Sequence, residues 1–314
     1  MVLDSCRLMV APLTPFDSSG QVALDLIERQ AELLLARRAE GLYLAGNTGE
    51  GMLLTTEERM ALAERWVAVL DERVPLVIHV GHGSVEDAKA LAAHAQSIGA
   101  AAFSSVGPTL FSCKDIEALV NWSAAIAAAA PELPFFHYYT GPKPDLHPCR
   151  AEEYFIRAQE VIPNFAGLKF TNTDLLDFGQ CLRRAGDRYR VLYGVDEAML
   201  PALAMGAPAF IGGSYNLFSP LASQVIAAYE NKQLSEARRV FTTMQRCIAT
   251  LRKYGGLVAL KGAMDAIGLP CGEPRLPMRP IDANQKTKLI AELEQHWPQM
   301  AGVAPDSVRL SVPR

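Results

Sequence analysis

The chain has 314 residues, half of them hydrophobic, so it can bury one large α/β core or two ordinary ones. Its formal charge is −4 with acidic and basic residues interspersed, which leaves no electrostatic footprint for nucleic acid and no polybasic patch for a membrane surface. No apolar run is long enough to span a bilayer, and the N-terminal MVLDSCRLMVAPLTPF lacks the pattern of a secretory signal. Six scattered cysteines (Cys6, Cys113, Cys149, Cys181, Cys247 and Cys271) form no C-x-x-C pair, so they predict reduced thiols in a cytoplasmic protein.

Short apolar runs alternate with longer Ala/Leu/Glu-rich segments. LMVAPLT from Leu8 is the first run, and ALDLIERQAELLLARRA follows as a helix. GLYLAG from Gly41 comes next, then TEERMALAERWVAVLDE, where Thr55 and Glu58 have the spacing of a capping box. PLVIHVG from Pro75, AAFSSV from Ala101 and LPFFHYY from Leu133 are the third to fifth runs, with helices beginning near Val85, Lys114 and Arg150. FAGLKF from Phe165, YRVLYG from Tyr189 and AFIGGS from Ala209 complete the set, with helices near Asp174, Glu197 and Pro220. Each run is apolar on both faces and closed by a turn, as a parallel strand covered on both sides requires.

Eight β-then-α units over about 230 residues predict a (β/α)8 TIM barrel. The main rival is a doubly wound sheet, but no G-x-G-x-x-G follows any run. From about Leu234 the pattern turns helical, with LPCGEPRLPMRP as a Pro/Gly-rich connection. The expected division is therefore a barrel over residues 1–233 and a helical extension over 234–314 packed against it.

Barrel chemistry sits where strands end, so the residues closing each run matter most. Lys169 closes the sixth, a long charged side chain in an apolar strand. The ordinary reading is an amine that snorkels to water. If it points inward instead, desolvation lowers its pKa and makes it a nucleophile able to form a Schiff base with a ketone. In AGNTGEG, Asn47 and Thr48 lie between glycines that expose backbone N–H groups, a nest suited to a carboxylate or else a plain turn. Tyr138 and Tyr139 reach the end of the fifth strand, where a phenol near the lysine can shuttle a proton or simply pack. Asp196 and Glu197 follow the seventh, either accepting from substrate hydroxyls or complementing a helix dipole. His79 and His82 are three apart with no third ligand, so a metal site is not expected. They read as satisfied rim histidines, and His94, His147 and His296 as surface or helix residues.

Taken together, GNTGE, a fifth-strand tyrosine, GLKFT and the closing RLPM resemble the dihydrodipicolinate synthase and N-acetylneuraminate lyase superfamily over nearly the whole chain. These are class I pyruvate aldolases on a (β/α)8 barrel with a helical C-terminal extension. GLKFTNTDLLDFGQC followed by GVDE resembles the N-acetylneuraminate lyase branch, particularly its animal-type members. The resemblance implies Lys169 as the Schiff-base lysine, and Thr48 beside Asn47 as holders of a pyruvoyl carboxylate. It implies Thr171, Gly194, Asp196 and Glu197 as contacts to a hydroxylated sugar acid. The relay tyrosine is Tyr138 when counted from the strand start and Tyr139 when counted back from Pro142; strand register favours Tyr138. No metal or organic cofactor is implied, the partner is a small keto acid, and a homotetramer is expected.

Three positions depart from the family pattern. Asn47 stands where a hydroxyl residue is usual, Gly213 where the lyase branch has a serine contacting substrate, and Phe111 where some members insert a tyrosine into a neighbouring subunit. Other sequence-level readings are an aldolase or dehydratase for another 2-keto-3-deoxy sugar acid, dihydrodipicolinate synthase itself, and a non-catalytic pyruvate-binding protein. Lys143 argues against the synthase, which needs an arginine there to grip a second carboxylate.

Overall fold

Eight strands pair in parallel, each with the next and the last with the first, so the sheet closes on itself. They are β1 (Leu8–Val10), β2 (Gly41–Leu44), β3 (Leu76–His79), β4 (Ala102–Ser105), β5 (Phe135–Tyr139), β6 (Phe165–Phe170), β7 (Arg190–Tyr193) and β8 (Ala209–Gly212). The computed structural model describes residues 3, 5–108, 111–141 and 148–300. Pro142, Lys143 and His147 therefore lie outside the described residues.

Helices α1 (Ile27–Ala36), α2 (Thr56–Leu70), α3 (Val85–Ser97), α4 (Ile116–Ala127), α5 (Ala151–Val161), α6 (Leu175–Ala185), α7 (Met199–Ala204) and α8 (Tyr215–Glu230) follow the strands in turn. The Thr55–Glu58 capping box forms, and the side chains of Ser84, Asp115 and Asp174 accept from first-turn amides to cap α3, α4 and α6. The eighth helix differs from expectation. It begins at Tyr215, not near Pro220, which lies inside it. A proline early in a helix forfeits one hydrogen bond, and the neighbouring Asn216 spends its side chain on the carbonyls of Ala11 and Gly213.

The tail forms α9 (Leu234–Lys253), α10 (Leu257–Ala263) and α11 (Ala283–His296). Helix α9 packs along α8 and carries α10 and α11 on its other sides. The boundary expected after residue 233 falls in the turn joining α8 to α9. No helix among the described residues is long and apolar enough to cross a membrane.

The barrel wall separates two apolar layers. Between sheet and helices lies the large layer that includes Trp66, Phe103, Phe155, Phe170 and Phe210. Inside the closed sheet is a smaller set, among them Met9, Tyr43, Val77, Phe136, Leu192 and Ile211. Each such side chain contributes roughly 1.5–3 kcal/mol when fully buried, so the wall is held from both faces.

One irregularity in the wall sets the direction of the sixth strand. Phe135 pairs with Phe165, but Phe136 pairs with Gly167, leaving Ala166 as an extra residue in β6. Ala166 faces the interior, and strict alternation would then turn residue 168 inward. The bulge resets the phase: Leu168 and Phe170 join the outer layer and Lys169 turns in. Gly167 has φ +141°, and a Cβ there would sit 1.8 Å from the Arg190 carbonyl oxygen. Gly167→Ala should therefore cost at least about 3 kcal/mol, read as a lower urea midpoint. An unchanged midpoint would show that the bulge does not require glycine.

Candidate active site

Lys169 and Tyr138 are lateral partners across the β5–β6 ladder, and both point into the barrel at its C-terminal end. The amine is shielded, with the residue only 6% exposed. Its Nζ lies 3.6 Å from the centroid of the Tyr43 ring and 4.0 Å from that of Tyr138. Burial pulls the ammonium pKa down to about 7, with the Asp196 carboxylate pulling the other way. About half the amine is thus neutral near pH 7. Desolvating an ammonium costs several kcal/mol, more than one core side chain contributes, so packing alone does not explain a lysine here.

Asp196 enters from a 3-10 turn after β7. Its Oδ2 accepts from the Ser214 amide at 3.0 Å and the Ser214 hydroxyl at 2.6 Å. Burial nevertheless raises its pKa to about 7, against the pull of Ser214 and of Lys169. Glu197 follows a different course. Its carboxylate pairs with Arg252 on α9, so the turn sends the two adjacent acids in separate directions.

Tyr138 and Tyr139 are separated by strand parity. Tyr138 faces Lys169, and burial pushes its phenol up to about 12, with the nearby Thr171 hydroxyl easing ionisation and Asp196 opposing it. Tyr139 stacks on Phe170 in the outer layer and donates to the Cys149 carbonyl at 3.3 Å. The Thr171 Oγ1 is buried and makes no hydrogen bond of good geometry within the protein. A buried hydroxyl left open at a barrel mouth is suited to a ligand.

The loop after β2 carries Asn47, exposed at the rim, and Thr48, half-buried. Among the described residues, nothing accepts from the amides of Asn47, Thr48 or Gly49. Rim glycines make room for the polar side chains. A Cβ on Gly194 would meet Thr171 Oγ1 at 2.0 Å, one on Gly212 would meet Asp196 Oδ1 at 2.1 Å, and one on Gly213 would meet Thr48 Oγ1 at 2.5 Å. The place a serine would take at position 213 is thus filled by the Thr48 hydroxyl.

The same loop is anchored to the tail. Glu50 is in the left-handed region at φ +55° and fully buried. Its Oε1 accepts from Lys261 Nζ on α10 at 2.6 Å, and its Oε2 from the Arg275 amide at 2.8 Å. The Arg275 guanidinium pairs with Glu58 and donates to the Leu53 carbonyl at 2.9 Å. The glutamate of GNTGE and the arginine of RLPM therefore act together, and neither role is visible along the chain.

His79 corrects an expectation. It is buried inside the barrel, not at a satisfied rim: Nδ1 is 3.2 Å from the Ala45 carbonyl, while Nε2 has no partner. Burial, then Arg59 and Lys169, hold it well below the usual histidine range, so it is neutral. His82 pairs with Asp87 at 3.5 Å, and no three His, Cys, Asp or Glu among the described residues converge as a metal site requires. Tyr43, Ser214 and Lys261 escape the sequence reading. For Tyr43 the usable signal was parity in GLYLAG, which puts it on the inward face just before the loop.

A closed (β/α)8 barrel with a desolvated amine at its C-terminal rim, followed by a helical tail, defines the class of barrel to which the fold belongs. The chain belongs to the dihydrodipicolinate synthetase family, whose sequence profile matches residues 4–296. It is 37% identical over 296 residues to the N-acetylneuraminate lyase of Mus musculus, covering 91% of each chain. It is also similar to two solved structures. One is the N-acetylneuraminate lyase (sialic acid aldolase) of Aliivibrio salmonicida, with TM-score 0.90, 35% identity and coverage of 94% of this chain and 97% of that one. The other is the Proteus mirabilis N-acetylneuraminate lyase, with TM-score 0.89, 34% identity and coverage of 94% and 99%.

Two outcomes follow from this geometry. Lys261→Met leaves Glu50 buried without its cation and should cost about 3–5 kcal/mol in urea unfolding, most of it recovered when Glu50→Gln is added. A loss below about 1 kcal/mol would contradict the buried pair. Asp196→Asn removes a charge that favours the ammonium, so the acid limb of amine reactivity should move to lower pH by up to about one unit. A limb that moves upward would reverse the assigned sign.

Proposed function

We propose that the chain is a Schiff-base carbon–carbon lyase that reversibly cleaves N-acetylneuraminate to N-acetylmannosamine and pyruvate. The observation that carries it is the Lys169 amine, half neutral near pH 7 and held beside the Tyr138 ring. The resemblance of the whole chain to N-acetylneuraminate lyases supports the choice of substrate.

In this reading the nest of Asn47, Thr48 and Gly49 takes the keto-acid carboxylate. Thr171, Gly194, Asp196, Glu197 and Gly213 border the hydroxylated part, Glu197 through whatever reach its pair with Arg252 leaves. Neutral Lys169 adds to the C2 ketone and water departs, giving an iminium. The C3–C4 bond then breaks, its electron pair flowing to the iminium nitrogen. A phenol raised to about 12 is protonated at rest. Tyr138 therefore takes the C4 hydroxyl proton as it passes its own to the substrate carboxylate. The aldehyde leaves, the enamine carbon is protonated, and hydrolysis frees pyruvate and the amine.

The phenol of Tyr138, beside Thr171 and set against Lys169, favours turnover over mere pyruvate binding. Asn47, exposed at the rim, is not required in this relay. We further infer a homotetramer, in which Phe111, 81% exposed in the single chain, is covered by a neighbour. A cytoplasmic setting fits the six unpaired cysteines.

Borohydride with pyruvate should add a pyruvate-derived mass to Lys169, and N-acetylneuraminate should release pyruvate. Release only from other 2-keto-3-deoxy acids would overturn the substrate and keep the aldolase. Tyr138→Phe should lower kcat about 10²–10⁴-fold with trapping retained, whereas Tyr139→Phe should not. The reverse pattern would move the relay to Tyr139.

A further inference from the structure

Two aromatic faces, not one, lie against the Lys169 amine. The nearer belongs to Tyr43 of β2, at 3.6 Å, a residue outside the relay described above. The Tyr43 and Tyr138 rings stand edge to face at 74° with centroids 6.1 Å apart, so the nitrogen sits in the angle between them.

Their hydroxyls are used differently. The Tyr43 oxygen is 2.9 Å from Ser104 Oγ on β4, and both residues are buried. Burial also holds this phenol well above the usual range, so it offers no proton near neutrality. The ring is fixed on its other sides as well. His79 lies 6.1 Å away at a 41° tilt, and the loop backbone rests on the ring where Gly46 has no Cβ; one there would meet Tyr43 Cε1 at 2.7 Å. A ring held on several sides keeps its face on the nitrogen throughout a reaction.

An aromatic face attracts a cation and is indifferent to a neutral amine. When Lys169 condenses with a keto acid, the C–N bond forms and the carbonyl oxygen leaves as water. That oxygen takes one proton from the amine and one from solvent, so the neutral nitrogen becomes positively charged. Of the later states the enamine is neutral and the iminium is charged. A fixed ring at this distance therefore favours the iminium over the states on either side of it.

We propose that Tyr43 is a catalytic residue that works through its ring face, binding the iminium on Lys169, while its hydroxyl only ties the ring to Ser104. The proposal rests on the imine-forming reading of Lys169.

The test is graded withdrawal of electron density from the ring. Full-length protein carrying 3-fluoro- and then 3,5-difluorotyrosine at position 43 keeps the shape and the Ser104 contact. The equilibrium constant for the pyruvate imine, from borohydride-trapped mass at subsaturating pyruvate, should fall stepwise to about a tenth of the parent value. The acid limb should move to lower pH in parallel, because the ammonium loses the same support; a merely structural role would leave both unmoved. As a second arm, Tyr43→Leu should form the imine at least about tenfold less favourably than Tyr43→Phe. A flat fluorine series, or a Tyr43→Phe variant as poor as Tyr43→Leu, overturns the role of the ring face. Absence of trapping in the parent protein overturns the imine reading itself, and this proposal with it.

Discussion

Taking one ammonium out of water is the constraint around which the barrel mouth is arranged. A buried charge must be paired, neutralised or given a compensating field, and Lys169 draws on all three. Asp196 supplies partial pairing, but its carboxylate is itself buried and occupied by Ser214. Loss of the proton supplies neutralisation, since the amine titrates near pH 7. Two tyrosine faces supply a field that costs little desolvation, because a ring is already apolar. Had the carboxylate been free and close, the lysine would have stayed charged and inert. Had it been absent, more of the amine would have been neutral at a given pH.

The rim is shaped to the same end. Polar side chains that converge on a small pocket compete for space with the backbone of neighbouring strands. At Gly194, Gly212 and Gly213 the competition is resolved by having no side chain at all, so Thr171, Asp196 and Thr48 lie directly on main chain. Such contacts help hold two hydroxyls in place, and they add to the Ser214 hydrogen bonds that hold the Asp196 carboxylate. They also explain how a chain without a serine at 213 still presents a hydroxyl there.

The alternation of short apolar runs with amphipathic segments made the barrel legible along the chain, because a strand covered on both faces has few other appearances. Capping at Thr55 and Glu58 was legible for the same local reason. The direction of Lys169 was not. Its neighbours Leu168 and Phe170 show only that it opposes them, and the bulge at Gly167 that settles which side is inside depends on pairing with β5. Glu197 looked equivalent to Asp196 until a residue far along the chain, Arg252, claimed it. Tyr43 looked like core and is core, differing from its neighbours only in what rests on its face. Long-range partners are what a linear reading lacks, and these three depend on them.

The pair formed by Glu50 and Lys261 has a consequence for how the protein comes into being. The loop after β2 is made early in synthesis, among the first strands to leave the ribosome. Its buried carboxylate finds a counter-charge only when α10 arrives, more than two hundred residues later, and the Arg275 amide and guanidinium follow. Until then the strands can associate, but the loop carries an unmatched acid that water must still reach. The loop thus depends on partners far along the chain, Lys261 and Arg275. A nascent or truncated chain ending before α10 lacks the cation that the buried Glu50 carboxylate pairs with.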